Sequence, residues 1–366
     1  MTTWFTAADC DLSEFRAVCE QKTELGDYPH AIDVVDNVLI YPGTLANDRE
    51  VQAELVRAFL DGPGVAVFAG AFDAEVVDGA TGVFNDLIAA QRASGTVGGD
   101  HFAKPGANDR VWGALDKFAL RDPATFAGYY DNDTLALVCE AWLGTGYQVT
   151  SQVNVVNPGG TAQVAHRDYH LGFMSQKQAL RYPAHIHALS PMLTLQGAVA
   201  HVDMPIETGP TLYLPYSQRY RPGYIAFHRP EFTAYFDEHR VQLPLAKGDA
   251  AFFNPALFHG AGTNKTNSVR RMANLLQVSS AFGRAMETVD RPAMLRALYP
   301  VLRHFGGNVE NVIAASAEGY AFPTNLDKHQ PIGGLAPRTQ AAVVREALEA
   351  GWDQERFERA LTEAID

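Results

Sequence analysis

The chain has 366 residues, 47% of them hydrophobic and 19% charged, the profile of a folded globular protein large enough for one big domain or two smaller ones. Its 29 Lys and Arg stand against 42 Asp and Glu, a formal net charge of −13, which repels phosphate backbones and anionic headgroups, so neither nucleic acid nor a membrane is an expected partner. Cys10, Cys19 and Cys139 have no CxxC spacing and an odd count, which argues against a disulfide framework or a thiolate zinc site and for a reducing cytoplasm.

The amino terminus, MTTWFTAADCDLSEF, lacks a basic n-region and an apolar h-region, so no secretion signal is expected. Residues 1 to about 45 read as an irregular arm. Apolar residues at helical spacing from Asn47 to Leu60 end at the turn Asp-Gly-Pro-Gly, followed by a short β-like run with Val65, Val67 and Phe68. A helix is expected from Asp73 to Ala93, then a Gly- and Pro-rich loop from Gly98, then helical periodicity from Pro123 to Leu143.

After Gly146 the period changes to two. Tyr147, Val149, Ser151, Val153 and Val155 fall on one face, and Gln148, Thr150, Gln152 and Asn154 on the other. Further β-like runs lie near 191–203, 211–215, 239–245, 249–254 and 270–280, with helical segments near 291–305 and 338–364. Short strands without long intervening helices point to an antiparallel sandwich or barrel. The expected fold is mainly β with flanking helices, around a double-stranded β-helix (jelly-roll, cupin-like) core. The chain divides into an amino-terminal arm and helix (1–60), a jelly-roll domain with helical insertions (61–285) and a carboxy-terminal helical extension packed on it (286–366).

The chemistry is carried by HRDYH at 166–170, which follows the turn Asn157-Pro158-Gly159-Gly160. In an extended segment residues i and i+2 share a side, so His166 and Asp168 can present a nitrogen and a carboxylate to one metal ion. FFNPALFHGAG supplies His259 as a third ligand. Two histidines and a carboxylate on one face of an octahedron leave open positions, the arrangement of non-haem Fe(II) oxygenases, whereas a structural zinc site is closed by four ligands. HxD alone is a weak signal in a chain with 12 His; the ordered conjunction is the argument.

Its last member is SVRRMANLLQVSS, in which a guanidinium can grip the distal carboxylate of a keto-acid cosubstrate. On a strand only one of two neighbouring arginines faces inward. The role is assigned to Arg270, with Arg271 as the alternative.

These residues resemble the phytanoyl-CoA dioxygenase family of Fe(II)- and 2-oxoglutarate-dependent oxygenases over residues 60–285. The likeness rests on the Pro-Gly turn before His166-Arg167-Asp168, ETGPTLYLPYSQ at 207–218, KGDAAFFNPALFHGAG, and Arg270 eleven residues beyond His259. It implies Fe(II), 2-oxoglutarate and O2 as cofactors, and hydroxylation of a small organic substrate with release of succinate and CO2. Asp168 favours hydroxylation over halogenation, because related halogenases replace that carboxylate by a small residue. Pro215-Tyr216-Ser217-Gln218 departs from the pattern, since many members end it in His.

The resemblance also turns Gln152 and Asn154 toward the cofactor pocket. His101, Lys104, Tyr169 and His170 are the candidate substrate residues, the first two on a loop expected, with 170–183, to form a lid over the barrel mouth. His185 and His187 read as surface histidines, and His201 as a packed or hydrogen-bonded one. Tyr213, Tyr216, Tyr220 and Tyr224 read as structural. The competing functions are a non-catalytic jelly-roll binding protein and a zinc hydrolase built on the same triad.

Overall fold

Period-two alternation builds the centre of the molecule. In the computed structural model, which describes residues 2–95, 107–170, 172–320, 327, 330 and 337–365, the strands are β1 (Asp33–Val35), β2 (Val38–Pro42), β3 (Val65–Ala69), β4 (Asn108–Val111), β5 (Gln148–Val156), β6 (Thr194–Ala200), β7 (Leu212–Leu214), β8 (Val241–Gln242), β9 (Ala250–Phe253), β10 (Phe258–Gly260) and β11 (Arg271–Ser279). They form a large sheet in the order β1-β2-β3-β9-β6-β11-β5-β4 and a small one in the order β10-β7-β8. Neighbours are antiparallel except β2 and β3. Together the sheets make the jelly-roll core.

The two faces of the large sheet have different fates. Val149, Val153 and Val155 of β5, Leu195 and Val199 of β6, and Met272, Leu276 and Val278 of β11 bury against helices. Those helices include Ala74–Ala93, Ala114–Arg121, Pro123–Tyr130 and Arg291–Leu302. The opposite face, carrying Gln152, Asn154, Gln196 and Ala273, looks into a cavity.

Three expectations shift. The amino-terminal arm is not irregular throughout, because β2 joins the large sheet beside β3 in register Leu39 with Ala66. The helical stretch from Pro123 to Leu143 is broken into Pro123–Tyr130 and Asp133–Leu143, since the Asn132 side chain caps the second helix by accepting from the Leu135 amide. The carboxy-terminal stretch likewise splits into Gln340–Glu349 and Gln354–Ile365 around Gly351, whose φ of 62° ends the first helix. Helices hold 44% of the described residues and strands 17%, so "mainly β" describes the core rather than the chain. No helix among the described residues is long and apolar enough to cross a membrane.

Candidate metal centre

His166 sits opposite His259 in an isolated antiparallel bridge beside β10. Two residues on, the Asp168 amide donates to the Pro255 carbonyl at 3.0 Å, so the segment stays extended and His166 and Asp168 point the same way. Arg167 between them points the opposite way. It is fully buried, donates to the Ser217 carbonyl, and lies against Tyr224 and Phe258.

One ligating atom from each of His166, Asp168 and His259 lies within 4.8 Å of the others, and all three side chains are buried. Each imidazole is oriented by its own segment: Nδ1 of His166 is 2.8 Å from the Val164 carbonyl and Nδ1 of His259 is 2.8 Å from the Leu257 carbonyl. A carbonyl only accepts, so both Nδ1 atoms carry the proton, which is the outer-shell arrangement that leaves Nε2 as the metal-binding atom. Burial, then His259 alongside, pushes the His166 imidazole down to about 4, so it is neutral and ready to ligate at neutral pH.

Burial alone would raise the Asp168 carboxyl, but the two histidines beside it, His259 first, and the Gln196 amide hold it below the usual carboxylate range. Its Oδ1 is buried without a hydrogen-bond partner. An ionised oxygen left bare inside a protein is costly unless a cation meets it. The donor set and this orphaned oxygen therefore fit a divalent metal with open coordination positions.

The triad opens into a cavity of about 630 Å³ lined by both sheets. On its floor Arg271, Ala273, Leu275 and Gln277 of β11 alternate with the core-facing Met272, Asn274, Leu276 and Val278. This settles the arginine register against the sequence assignment. Arg271 is 6% exposed and faces the cavity, where Nη1 lies 3.4 Å from the Thr208 and Gly262 carbonyls. It pairs with no carboxylate among the described residues, and burial lowers it to about 10, still charged at neutral pH. Arg270 is on the outside, 46% exposed, paired with Asp109 at 3.1 Å and donating to Asn157. The parity of Met272, Leu276 and Val278 carries this signal in the sequence, since all three share the side opposite Arg271.

Gln152 and Asn154 line the cavity as expected. Gln152 accepts from Arg110 and donates to Glu287 at 3.2 Å, and Arg110 lies over Trp112 at 4.4 Å. Arg110, Trp112 and Gln196 are cavity residues that sequence reasoning did not single out for the site. Arg110 and Trp112 lie at the end of β4 and Gln196 on β6, and no local pattern joins them to HRDYH.

Tyr169 and His170 are not among the lining residues. Tyr169 stacks on Tyr224 at 4.1 Å and bonds to His187, while His170 Nδ1 is 2.7 Å from Thr194 Oγ1. His187 is buried by the same stack, not on the surface; His185 is exposed. Tyr213, Tyr216, Tyr220 and Tyr224 are all buried, and Tyr213 also lines the cavity. Gln218, at the position where the resemblance leads one to look for His, donates to the Gly62 carbonyl and does not line the cavity. His101 and Lys104 lie outside the described residues.

A profile of the phytanoyl-CoA dioxygenase (PhyH) family matches residues 48–272. No curated protein matches the sequence. Among solved structures, the chain is similar to the non-haem alpha-ketoglutarate-dependent epimerase SnoN from nogalamycin biosynthesis, at 20% identity over 64% of this chain and 84% of that one, with a TM-score of 0.43. It is also similar to AviO1 from Streptomyces viridochromogenes Tue57, at 17% identity over 66% and 100% of the two chains and a TM-score of 0.44. HygX from Streptomyces hygroscopicus, solved with nickel and 2-oxoglutarate bound, shares 14% identity over 66% and 90%, with a TM-score of 0.43.

Proposed function

This chain belongs to the phytanoyl-CoA dioxygenase family, and from that premise we propose that it hydroxylates a small organic substrate in an Fe(II)- and 2-oxoglutarate-dependent reaction that consumes O2 and releases succinate and CO2. The observation that carries the reading is the sharing of one cavity by the buried His166, Asp168 and His259 cluster and the buried, carboxylate-free Arg271.

His166, Asp168 and His259 would hold the metal. Fe(II), with 2-oxoglutarate and O2, supplies the oxidising power when bound. Arg271 receives the distal carboxylate of 2-oxoglutarate, replacing two weak carbonyl contacts by charge-assisted hydrogen bonds. Gln152 and Asn154 extend polar groups toward the same space. Asp168 would supply a carboxylate ligand where related halogenases leave room for halide, which favours hydroxylation over halogenation.

A zinc hydrolase built on the same triad would consume no 2-oxoglutarate, and a non-catalytic binding protein would bind metal and cosubstrate without turnover. The test is to load the protein anaerobically with Fe(II), add 2-oxoglutarate and O2, and screen a metabolite library for substrate-stimulated succinate. Stimulated succinate with a hydroxylated product supports the reading; metal binding with no 2-oxoglutarate consumption under any condition overturns it.

A further inference from the structure

Gln196, on β6, reaches the metal cluster from the large sheet. Its Nε2 donates to Asp168 Oδ2 at 2.5 Å. An ionised carboxylate offers only acceptors, so the partner fixes which end of the amide is which. The other end, Oε1, is buried and has no hydrogen-bond partner, on a side chain 2% exposed that lines the cavity. A buried acceptor in this state is unfavourable until a donor reaches it.

The cosubstrate cannot be that donor. At neutral pH 2-oxoglutarate carries two carboxylates and an oxo group, all acceptors. Next to Gln196 and Gln277 on the same two strands, Ala198 and Leu275 also line the cavity, which suits a C–H framework.

We propose that Gln196 acts at both ends of its amide: Nε2 fixes the orientation of the Asp168 carboxylate within the triad, and Oε1 accepts a hydrogen bond from an O–H or amide N–H of the primary substrate. The substrate class is a small alcohol or amide whose donor lies beside the C–H to be oxidised. This rests on the Fe(II) and 2-oxoglutarate reading above.

The test uses the full chain with Co(II) in place of Fe(II), so that the site is read without turnover. Gln196→Met keeps the length and removes both amide atoms. Its Co(II) affinity should fall about 10- to 100-fold, as for lost outer-shell partners, with an altered Co(II) visible spectrum and a melting temperature near that of the wild type. Gln196→Asn, too short to reach Asp168, serves if the Met variant does not fold. A folded variant of either kind with wild-type affinity and spectrum overturns the positioning role.

The second arm pairs small alcohols and secondary amides with their O-methyl and N-methyl derivatives and reads each against the spectrum of the Co(II) and 2-oxoglutarate complex. Wild type should favour the donor member on the order of tenfold, because only it replaces the hydrogen bonds of the water it displaces, and Gln196→Met should lose the preference. Equal responses within every pair, or no response from any donor, overturn the acceptor role. Wild-type protein that binds neither Co(II) nor 2-oxoglutarate would instead refute the reading on which the proposal rests.

Discussion

His166 and His259 are held opposite one another by two backbone hydrogen bonds, His166 N–H to the His259 carbonyl at 3.0 Å and the reverse at 3.1 Å, with their tilted rings 4.4 Å apart between centroids. The backbone makes this bridge, so the side chains can be changed without undoing it. Asp168→Ala, His166→Ala and His259→Ala should each abolish tight Fe(II) binding while leaving the fold intact. Metal content after anaerobic reconstitution and a thermal melt check this. Wild-type iron content in Asp168→Ala would contradict the ligand assignment.

The two neighbouring arginines should behave oppositely. Arg271→Ala leaves the distal carboxylate of 2-oxoglutarate buried and unpaired, a cost of roughly 2–5 kcal/mol by analogy with truncated buried charge pairs, so 2-oxoglutarate affinity should drop at least about tenfold. Arg270→Ala breaks a half-exposed pair with Asp109 and a bond to Asn157, with Arg270 outside the cavity, and should leave that affinity unchanged. Calorimetric titration of the metal-loaded protein decides; a large loss in Arg270→Ala with a silent Arg271→Ala would reverse the register.

His201 sets a pH dependence of stability. It lies between Thr81 Oγ1 at 2.8 Å on Nδ1 and Tyr129 Oη at 3.0 Å on Nε2. Thr81 gives its own proton to the Val77 carbonyl and Tyr129 accepts from Asn274, so the chain of bonds requires a neutral imidazole donating from Nδ1. Burial depresses it to about 3 from 6.5. The unfolded chain therefore takes up a proton that the native state refuses as pH falls below about 6.5, and stability declines from there toward pH 3. His166, depressed to about 4, adds to the same slope. Melting temperature against pH should be flatter in His201→Gln than in wild type, whatever the absolute values; parallel curves would show that His201 contributes no linkage.

Gly223 has no room for a side chain. A Cβ there would stand 1.9 Å from Cζ of Arg167, whose guanidinium is itself locked against Tyr224 and Phe258. Gly223→Ala should destabilise the protein by roughly 1–3 kcal/mol, the usual range for overpacking. Denaturant unfolding measures it, and an unchanged midpoint would mean that Arg167 has another place to go.

The sequence by itself determined what depends on local geometry. Alternation along 147–155 fixed which face of β5 is polar, and an extended HxD put His166 and Asp168 on one side, because side-chain direction repeats every two residues whatever the rest of the chain does. His259 and a following arginine could be read as partners from their order along the chain. Which arginine faces inward was a question of parity: Met272, Leu276 and Val278 stand opposite Arg271 along the strand, and the pairing of β11 between β5 and β6 sends them into the helical core. Tyr169 and His170 stand beside the ligands in sequence, yet Tyr224, His187 and Thr194 draw them out of the cavity. Gln196 shows the converse: 28 positions from Asp168, it meets the carboxylate because two sheets close over one space, and contacts made across that space leave no periodic trace in the chain.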